Sequence, residues 1–469
     1  MEEVESVTGF SQDDSSRRFS VSWNPKTFRF VFLQSMENRF HSSWVEAQVA
    51  SCAKVWTRCA SDPPSLEPQY SRRDHEAREI AYDAELRAVE WEARRAARHK
   101  DESSVSQDRI LASFARFAVN ALDLEPETVA LLTGDFLPAG IEFCRGARNF
   151  DANLSRSDTI QACRNAWTAC GLQPLLGVRS EITSSILGYS LLYPYTDNYL
   201  DNSHVSLHAK LGFSQRFRSR LQGSGEPASN AHEITLWALV AMIEAQYPRA
   251  QFPQVYECFL AIHGAQEASV AQLQAEAWIS DAELLHLSLL KGGTSVLADA
   301  CLARGWMSEE EGRFGFEWGA LLQLGDDLQD VHEDLQRGST TVFTRAVNRG
   351  EPLDPLVLQL LCFCDHVAAR MDPLPGSQRL KDLLRMSWRS LIVAAIADAH
   401  EYFSPGFLVA AELCSPFRFQ FQRARRRQLA GRQGFYTTLF DLFIQTSESN
   451  YAYRVSASGC SSEALQATL

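Results

Sequence analysis

The residues best placed by type and spacing to do chemistry are the carboxylates of Gly319-Ala-Leu-Leu-Gln323-Leu-Gly-Asp326-Asp327-Leu-Gln-Asp330, which continues into His332, Glu333 and Asp334. On a helix of 3.6 residues per turn, Asp326, Asp330 and Asp334 fall on one face, with Gln323 one turn earlier on the same side. Like charges at that spacing cost helix stability unless something neutralises them. A hard divalent cation does so, and Mg²⁺ characteristically takes one or two carboxylates together with phosphate oxygens. A second acidic pair, Asp197 and Asp201, has the same four-residue spacing within LLYPYTDNYLDNSHVS, beside Tyr189, Tyr193, Tyr195 and Tyr199. Pro194 predicts a bend or a fresh helix start just before these carboxylates. Between Asp201 and Asp326 there is room for about four helices of about twenty residues, so the clusters could face one another. Either cluster alone also reads as a solvated acidic face; their joint occurrence on predicted helices favours a metal site.

Cationic residues accompany both clusters. In HAKLGFSQRFRSRL (208–221), Phe213, Phe217 and Leu221 share one helical face, and Arg216 and Arg220 share another. That basic face could meet an anion or be salt-bridged. Six arginines fall within 418–432 with no acidic residue among them. They could close over an anion, touch an anionic membrane, or pair with the acidic residues of 71–102.

The elements that must position these groups read as helices throughout. Ser280-Asp-Ala-Glu283 and Ser308-Glu-Glu-Glu311 each fit a capping box. The first predicts a helix toward Arg304, stopped by Gly305; the second predicts one of nearly thirty residues, stopped around Gly338. Residues 71–102 carry eight Lys/Arg and nine Asp/Glu among good helix formers and predict a solvated helix. Breaks are expected at 134–140, 223–231, 248–253, 350–355 and 372–377. Period-2 alternation is scarce and hairpin dipeptides are missing, so the fold class is all-α.

Composition narrows the rest. A chain of 469 residues that is 45% hydrophobic, with 27 Phe, 12 Tyr and 10 Trp, can bury a large core. A net charge of −13 argues against a nucleic-acid partner. No apolar run is long enough for an ordinary transmembrane helix, and the Ser-rich acidic N-terminus does not read as a secretory signal, so a cytoplasmic protein is expected. The eleven scattered cysteines read as small core residues in a reducing compartment. Residues 1–22 and 455–469 read as disordered tails.

GALLQLGDDLQD resembles the second aspartate-rich motif of trans-prenyltransferases, GxxxQxxDDxxD, at every fixed position. DNYLD resembles the first motif, DDxxD, with Asn198 in place of the second Asp, and KGGTS (291–295) resembles the kinked helix whose lysine reaches the diphosphate. The resemblance to this class I isoprenoid synthase superfamily implies a single large antiparallel helical bundle over 108–445 with a deep active-site cavity; it does not account for residues 1–107, of which 23–107 read as a helical N-terminal extension. It implies a Mg²⁺-dependent enzyme in which Asp197 and Asp201 hold metal from one wall and Asp326, Asp327 and Asp330 from the other, with three Mg²⁺ ions bound together with the substrate diphosphate. Lys291, Gln323, Asn198, Arg216 and Arg220 would then contact a prenyl diphosphate. A homodimer and peripheral contact with a membrane are both compatible with it. The GGKRxRP-type loop of chain-elongating enzymes has no counterpart; Cys144-Arg-Gly-Ala-Arg-Asn149 is a poor match. That shifts the expectation toward a terpene synthase, with a prenyltransferase joining two prenyl units, or an inactive helical partner subunit, as alternatives.

Overall fold

Helix starts in this chain are chemically explicit, and most of the structure follows from them. In the computed structural model, which describes residues 40–98, 103–202, 204–272 and 279–430, the side chains of Ser155, Thr183, Ser206, Asn230, Ser280, Ser308, Thr341, Ser377 and Ser404 each accept a hydrogen bond from a backbone amide in the first turn of the helix they open. The capping boxes at Ser280/Glu283 and Ser308/Glu311 are both complete. In chain order the helices are α1 (Ser42–Ser61), α2 (Arg72–Arg98), α3 (Ser103–Asn120), α4 (Pro126–Leu131), α5 (Leu137–Phe150), α6 (Arg156–Leu175), α7 (Ser184–Asp201), α8 (Leu207–Leu221) and α9 (Ala231–Gln246). They continue as α10 (Pro253–Gln272), α11 (Asp281–Leu302), α12 (Glu309–Gln329), α13 (Val331–Arg337), α14 (Val342–Asn348), α15 (Asp354–Arg370), α16 (Gln378–Asp398), α17 (Pro405–Glu412) and α18 (Phe419–Ala430). No strand occurs among the described residues, so the all-α class holds. None of the described helices is long and apolar enough to cross a membrane. The tails expected at 1–22 and 455–469 lie outside the described residues.

Three expectations are corrected. The break at 134–140 is absent: a π-helical segment, Leu132–Phe136, joins α4 to α5. Pro138 lacks the amide that would bond four residues back, and the wider turn absorbs that loss without ending the helix. Pro194 likewise starts no new helix and lies inside α7. The long helix from Ser308 is divided at Asp330 (φ −92°, ψ 9°), although the amides of Asp330 and Asp334 still bond to the carbonyls of Asp326 and Asp330 at 2.8 Å. The carboxylates therefore remain on one continuous strip despite the kink.

The cysteine reading is also corrected. Cys59 on α1 and Cys362 on α15 form a disulfide, with Cα atoms 5.6 Å apart and 303 residues between them. Only packing reveals that proximity.

Helices α11 and α12 pack backbone against backbone. A Cβ on Gly292 would collide with the Gly319 carbonyl, and one on Gly319 with the Gly292 carbonyl. A Cβ on Gly293 would enter the Phe316 ring. The backbones thus touch where Lys291 leaves α11 and Gln323 leaves α12. Gly319→Ala is expected to lower unfolding free energy by about 1–3 kcal/mol or more through overpacking. Gly325, with nothing within 4 Å of its would-be Cβ, supplies the contrast; Gly325→Ala should gain up to about 1 kcal/mol from helix propensity. Urea titrations of both variants decide it, and equal midpoints for the two would remove the contact from the account.

Candidate active site

Two chambers meet at the glycine crossing. The larger, about 670 Å³, takes Asp197 from α7, Lys291 and Ser295 from α11, and Gln323 and Asp326 from α12. Its walls are otherwise largely apolar, with Phe114, Phe136, Trp167, Tyr193, Trp318 and Trp388 among them. The smaller, about 310 Å³, is lined by Asp326, Asp327, Asp330 and Asp334, together with Lys291, Arg337, Arg345 and the hydroxyl residues Ser288, Ser339, Thr340 and Thr341. Lys291, Gln323 and Asp326 belong to both. An apolar chamber and a highly polar one therefore share a threshold bearing one cation and one carboxylate.

The acidic strip is held under electrostatic load. Asp327 is buried; its carboxylate accepts hydrogen bonds from Ser288 Oγ at 2.6 Å and Gln323 Nε2 at 2.8 Å. Burial nonetheless pushes its pKa up to about 6 against those bonds. Asp330 is also pushed up to about 6, by burial first and then by Asp326, Glu333 and Asp334. Burial likewise raises Asp334. Asp326 is less enclosed and lies 3.4 Å from Arg164 Nη2 of α6, an exposed pair worth little by itself.

On the facing helix, Asp197 accepts a hydrogen bond from Gln266 Nε2 of α10 at 3.2 Å. Asp201 closes α7, but its side chain lies outside the described residues. Of the other residues singled out in the sequence, Lys291 and Gln323 join the chambers, with Gln323 orienting Asp327. Asn198 points elsewhere, donating to Asp158 Oδ1 at 3.1 Å. Arg216 and Arg220 do not reach the chambers either. Arg216 is bonded to Glu233, Glu226 and the Pro227 carbonyl, and its hydrogen bonds hold the Glu233 carboxyl down to about 2. Arg220 is paired with Glu244. Their helix was read correctly as two-faced, but the basic face meets carboxylates of neighbouring helices and not the cavity. In the arginine cluster, Arg418 and Arg425 pair with Glu79 and Asp83 of the 71–102 segment and Arg426 with Asp398, while Arg432 lies outside the described residues. Among the aromatic residues, Tyr193, Trp318 and Trp388 line the large chamber, the two tryptophan rings being 5.2 Å apart between centroids. Phe213 and Phe217 stack on each other at 5.8 Å as core.

Compared with known proteins, the chain matches no family model, no curated protein and no solved structure.

Sequence reasoning missed the polar network behind the large chamber's wall, of which Tyr193, Ser295 and Asn165 reach the lining. Tyr193 Oη and Ser295 Oγ are in close hydrogen-bond contact, Tyr189 Oη donates to the Ser295 carbonyl at 3.0 Å, and burial raises both phenols. Asn165 donates to Ser190 Oγ at 3.1 Å and to Asp299 Oδ1 at 2.9 Å. Asp299 is fully buried, its Oδ2 has no hydrogen-bond partner, and burial raises its pKa well above the carboxylate range. A lone Asp in the apolar stretch SVLADACL carries no spacing signal, so only packing shows it. Arg164, Gln266 and Ser288 were missed for the same reason.

Among the described residues, no three His, Cys, Asp or Glu side chains already form a metal-holding group. The donor set still suits Mg²⁺. Its carboxylate and hydroxyl oxygens are hard ligands, two of its carboxyls are penalised when charged without a cation, and Mg²⁺ seldom relies on an all-protein cage. A group whose folded pKa is raised to about 6 destabilises the native state above that pH, and the penalty fades as pH falls toward the unfolded value. Asp327→Asn is therefore expected to stabilise the metal-free protein by about 1–3 kcal/mol at pH 7.5, with a smaller gain at pH 5. Thermal melts in EDTA at the two pH values test this; a destabilised variant at pH 7.5 would show that the hydrogen bonds to Asp327 outweigh its burial.

Proposed function

We propose that this chain is a Mg²⁺-dependent enzyme of the class I isoprenoid synthase type that ionises a prenyl diphosphate and lets the resulting cation cyclise or be quenched. The observation carrying this reading is that Asp197 and Asp326, on separate helices, line one aromatic-walled cavity that opens at Lys291 into a polar, carboxylate-lined chamber. Such an arrangement suits an amphiphile with a long apolar tail and a multiply charged head.

In this reading the small chamber seats the diphosphate and the large one the hydrocarbon. Lys291, at the threshold, places positive charge beside the bond that must break. Ser288 and Gln323 fix the Asp327 carboxylate, leaving Asp326 and Asp330 to present oxygens along the strip. Metal ions held there would neutralise charge as it develops on the leaving group. The apolar walls exclude water, and the π-faces of rings such as Trp318 and Trp388 stabilise a cation. A single tail chamber joined to the head chamber favours a one-substrate reaction. With Arg216 and Arg220 committed to Glu233 and Glu244, a second diphosphate gains no seat from them.

The direct test incubates purified protein with Mg²⁺ and C10, C15, C20 or C25 prenyl diphosphates, each with and without isopentenyl diphosphate, followed by mass spectrometry. A diphosphate-free terpene from one substrate alone is expected. Product formed only with a second prenyl diphosphate would move the enzyme to the transferases. Asp326→Ala and Asp197→Ala should each lose at least about a hundredfold in turnover while keeping the wild-type circular dichroism. Mg²⁺ with pyrophosphate should raise the melting temperature by mass action. Absence of both turnover and that stabilisation in a folded protein would sink the proposal.

A further inference from the structure

Behind Tyr193 lies a second, far smaller cavity, bounded by α7, α8 and α10. Its volume of about 30 Å³ exceeds the roughly 10–15 Å³ that one water needs. Leu192, Thr196, Phe217, Leu221 and Phe259 enclose it, all of them buried. Tyr193, Ile262 and Gln266 border both this cavity and the large chamber, so the two share a wall. Of the residues around the small cavity, Tyr193 and Gln266 in that shared wall are the ones not fully buried.

His263 of α10 sets the chemistry of the space, which it lines from a buried position. Three oxygens surround its Nε2: the Ser214 carbonyl at 3.0 Å, Ser214 Oγ at 3.2 Å and Glu267 Oε1 at 3.2 Å. The Ser214 hydroxyl directs its own proton to Glu267 Oε1, at 2.6 Å. All three oxygens therefore act as acceptors, and Nε2 must carry the hydrogen. Burial holds the imidazole below its usual pKa, so the ring is neutral at rest. Nδ1 is left with a lone pair, buried and with no hydrogen-bond partner among the described residues. An unsatisfied acceptor at that depth is costly, and a donor the size of water relieves it.

We infer that the small cavity holds a single water donating to His263 Nδ1, and that His263 is the general base that activates this water against the cation formed in the large chamber, making the product an alcohol. This rests on reading the large chamber as an ionisation site. An apolar chamber excludes bulk water, so a quench by water needs a molecule already stored at its wall. The water oxygen supplies the electron pair of the new C–O bond; one of its O–H bonds breaks, and the proton passes to Nδ1. The imidazolium so formed has the Glu267 carboxylate beside its Nε2–H, a pairing that orients and stabilises a histidine base. Glu267 is held in turn by Arg218. The proton returns to solvent after the product leaves.

His263→Gln tests the inference, because the glutamine amide can still donate to the Ser214 carbonyl while the Nδ1 base is gone. With Mg²⁺ and prenyl diphosphates in H₂¹⁸O, the unaltered chain should give a terpene alcohol carrying ¹⁸O. In His263→Gln the fraction of turnover ending as alcohol should fall at least about tenfold in favour of hydrocarbon. Without substrate, ¹⁵N NMR of the histidine-labelled unaltered chain should show His263 protonated at Nε2 and not at Nδ1. Hydrocarbon as the sole product of the unaltered chain, an unchanged alcohol fraction in a folded His263→Gln, or a protonated Nδ1 would each overturn the inference and leave the ionisation reading standing. Two of these readouts use the unaltered chain, so they decide the matter whether or not the variant folds. No pyrophosphate release from any prenyl diphosphate, or an alcohol that keeps the substrate's own oxygen, would remove the ionisation reading and this inference with it.

Discussion

Everything at the candidate site depends on two helix backbones being allowed to touch. Gly292 and Gly319 remove the side chains that would hold α11 and α12 apart, and Gly293 gives up its own for the Phe316 ring. Close approach brings Lys291 within the electrostatic reach of Asp327 and Asp334, and Ser288 within hydrogen-bonding distance of Asp327. Any larger residue at the crossing would separate the cation from the carboxylates it tempers. Glycine costs a helix about 1 kcal/mol in propensity. The surrounding core, including Phe314, Phe316, Leu289 and Leu324, offsets that cost.

The same crossing sets a contrast of environments. Carboxylates that would titrate together in water are spread along a gradient of burial, from half-open Asp326 to enclosed Asp327, with Asp299 deeper still and its charged form disfavoured by burial. The strip resists its own charge, whereas the large chamber holds few charged groups. A ligand bridging the two must carry its own division between charged and apolar parts. That division is what makes an amphiphilic diphosphate a physically coherent occupant.

Legibility from sequence followed the range of the interactions concerned. Helix starts rest on contacts three residues apart, so Ser280/Glu283 and Ser308/Glu311 could be read directly. The acidic strip could be read because helical periodicity places Asp326, Asp330 and Asp334 without reference to any other element. Proline rules misled at Pro138, where a π-turn carries the helix through, and Pro194 lies inside α7 without starting a new helix. Arg216 and Arg220 were assigned the right face of their helix but the wrong neighbour, because which helix lies opposite is a property of the whole fold. Asp299, Asn165 and the Cys59–Cys362 bond depend on contacts across 134 to 303 residues and leave no local trace.

The Cys59–Cys362 bond has a topological consequence. The loop it closes contains both acidic helices, the glycine crossing and Lys291, so the carboxylate-bearing walls of the candidate site are strung on one covalent ring, with Trp388 of the large chamber outside it. A single peptide-bond cleavage anywhere within that ring opens it without releasing a fragment. While the bond is oxidised, a nicked molecule keeps its mass and both walls of its site; on reduction the same molecule would come apart into two pieces.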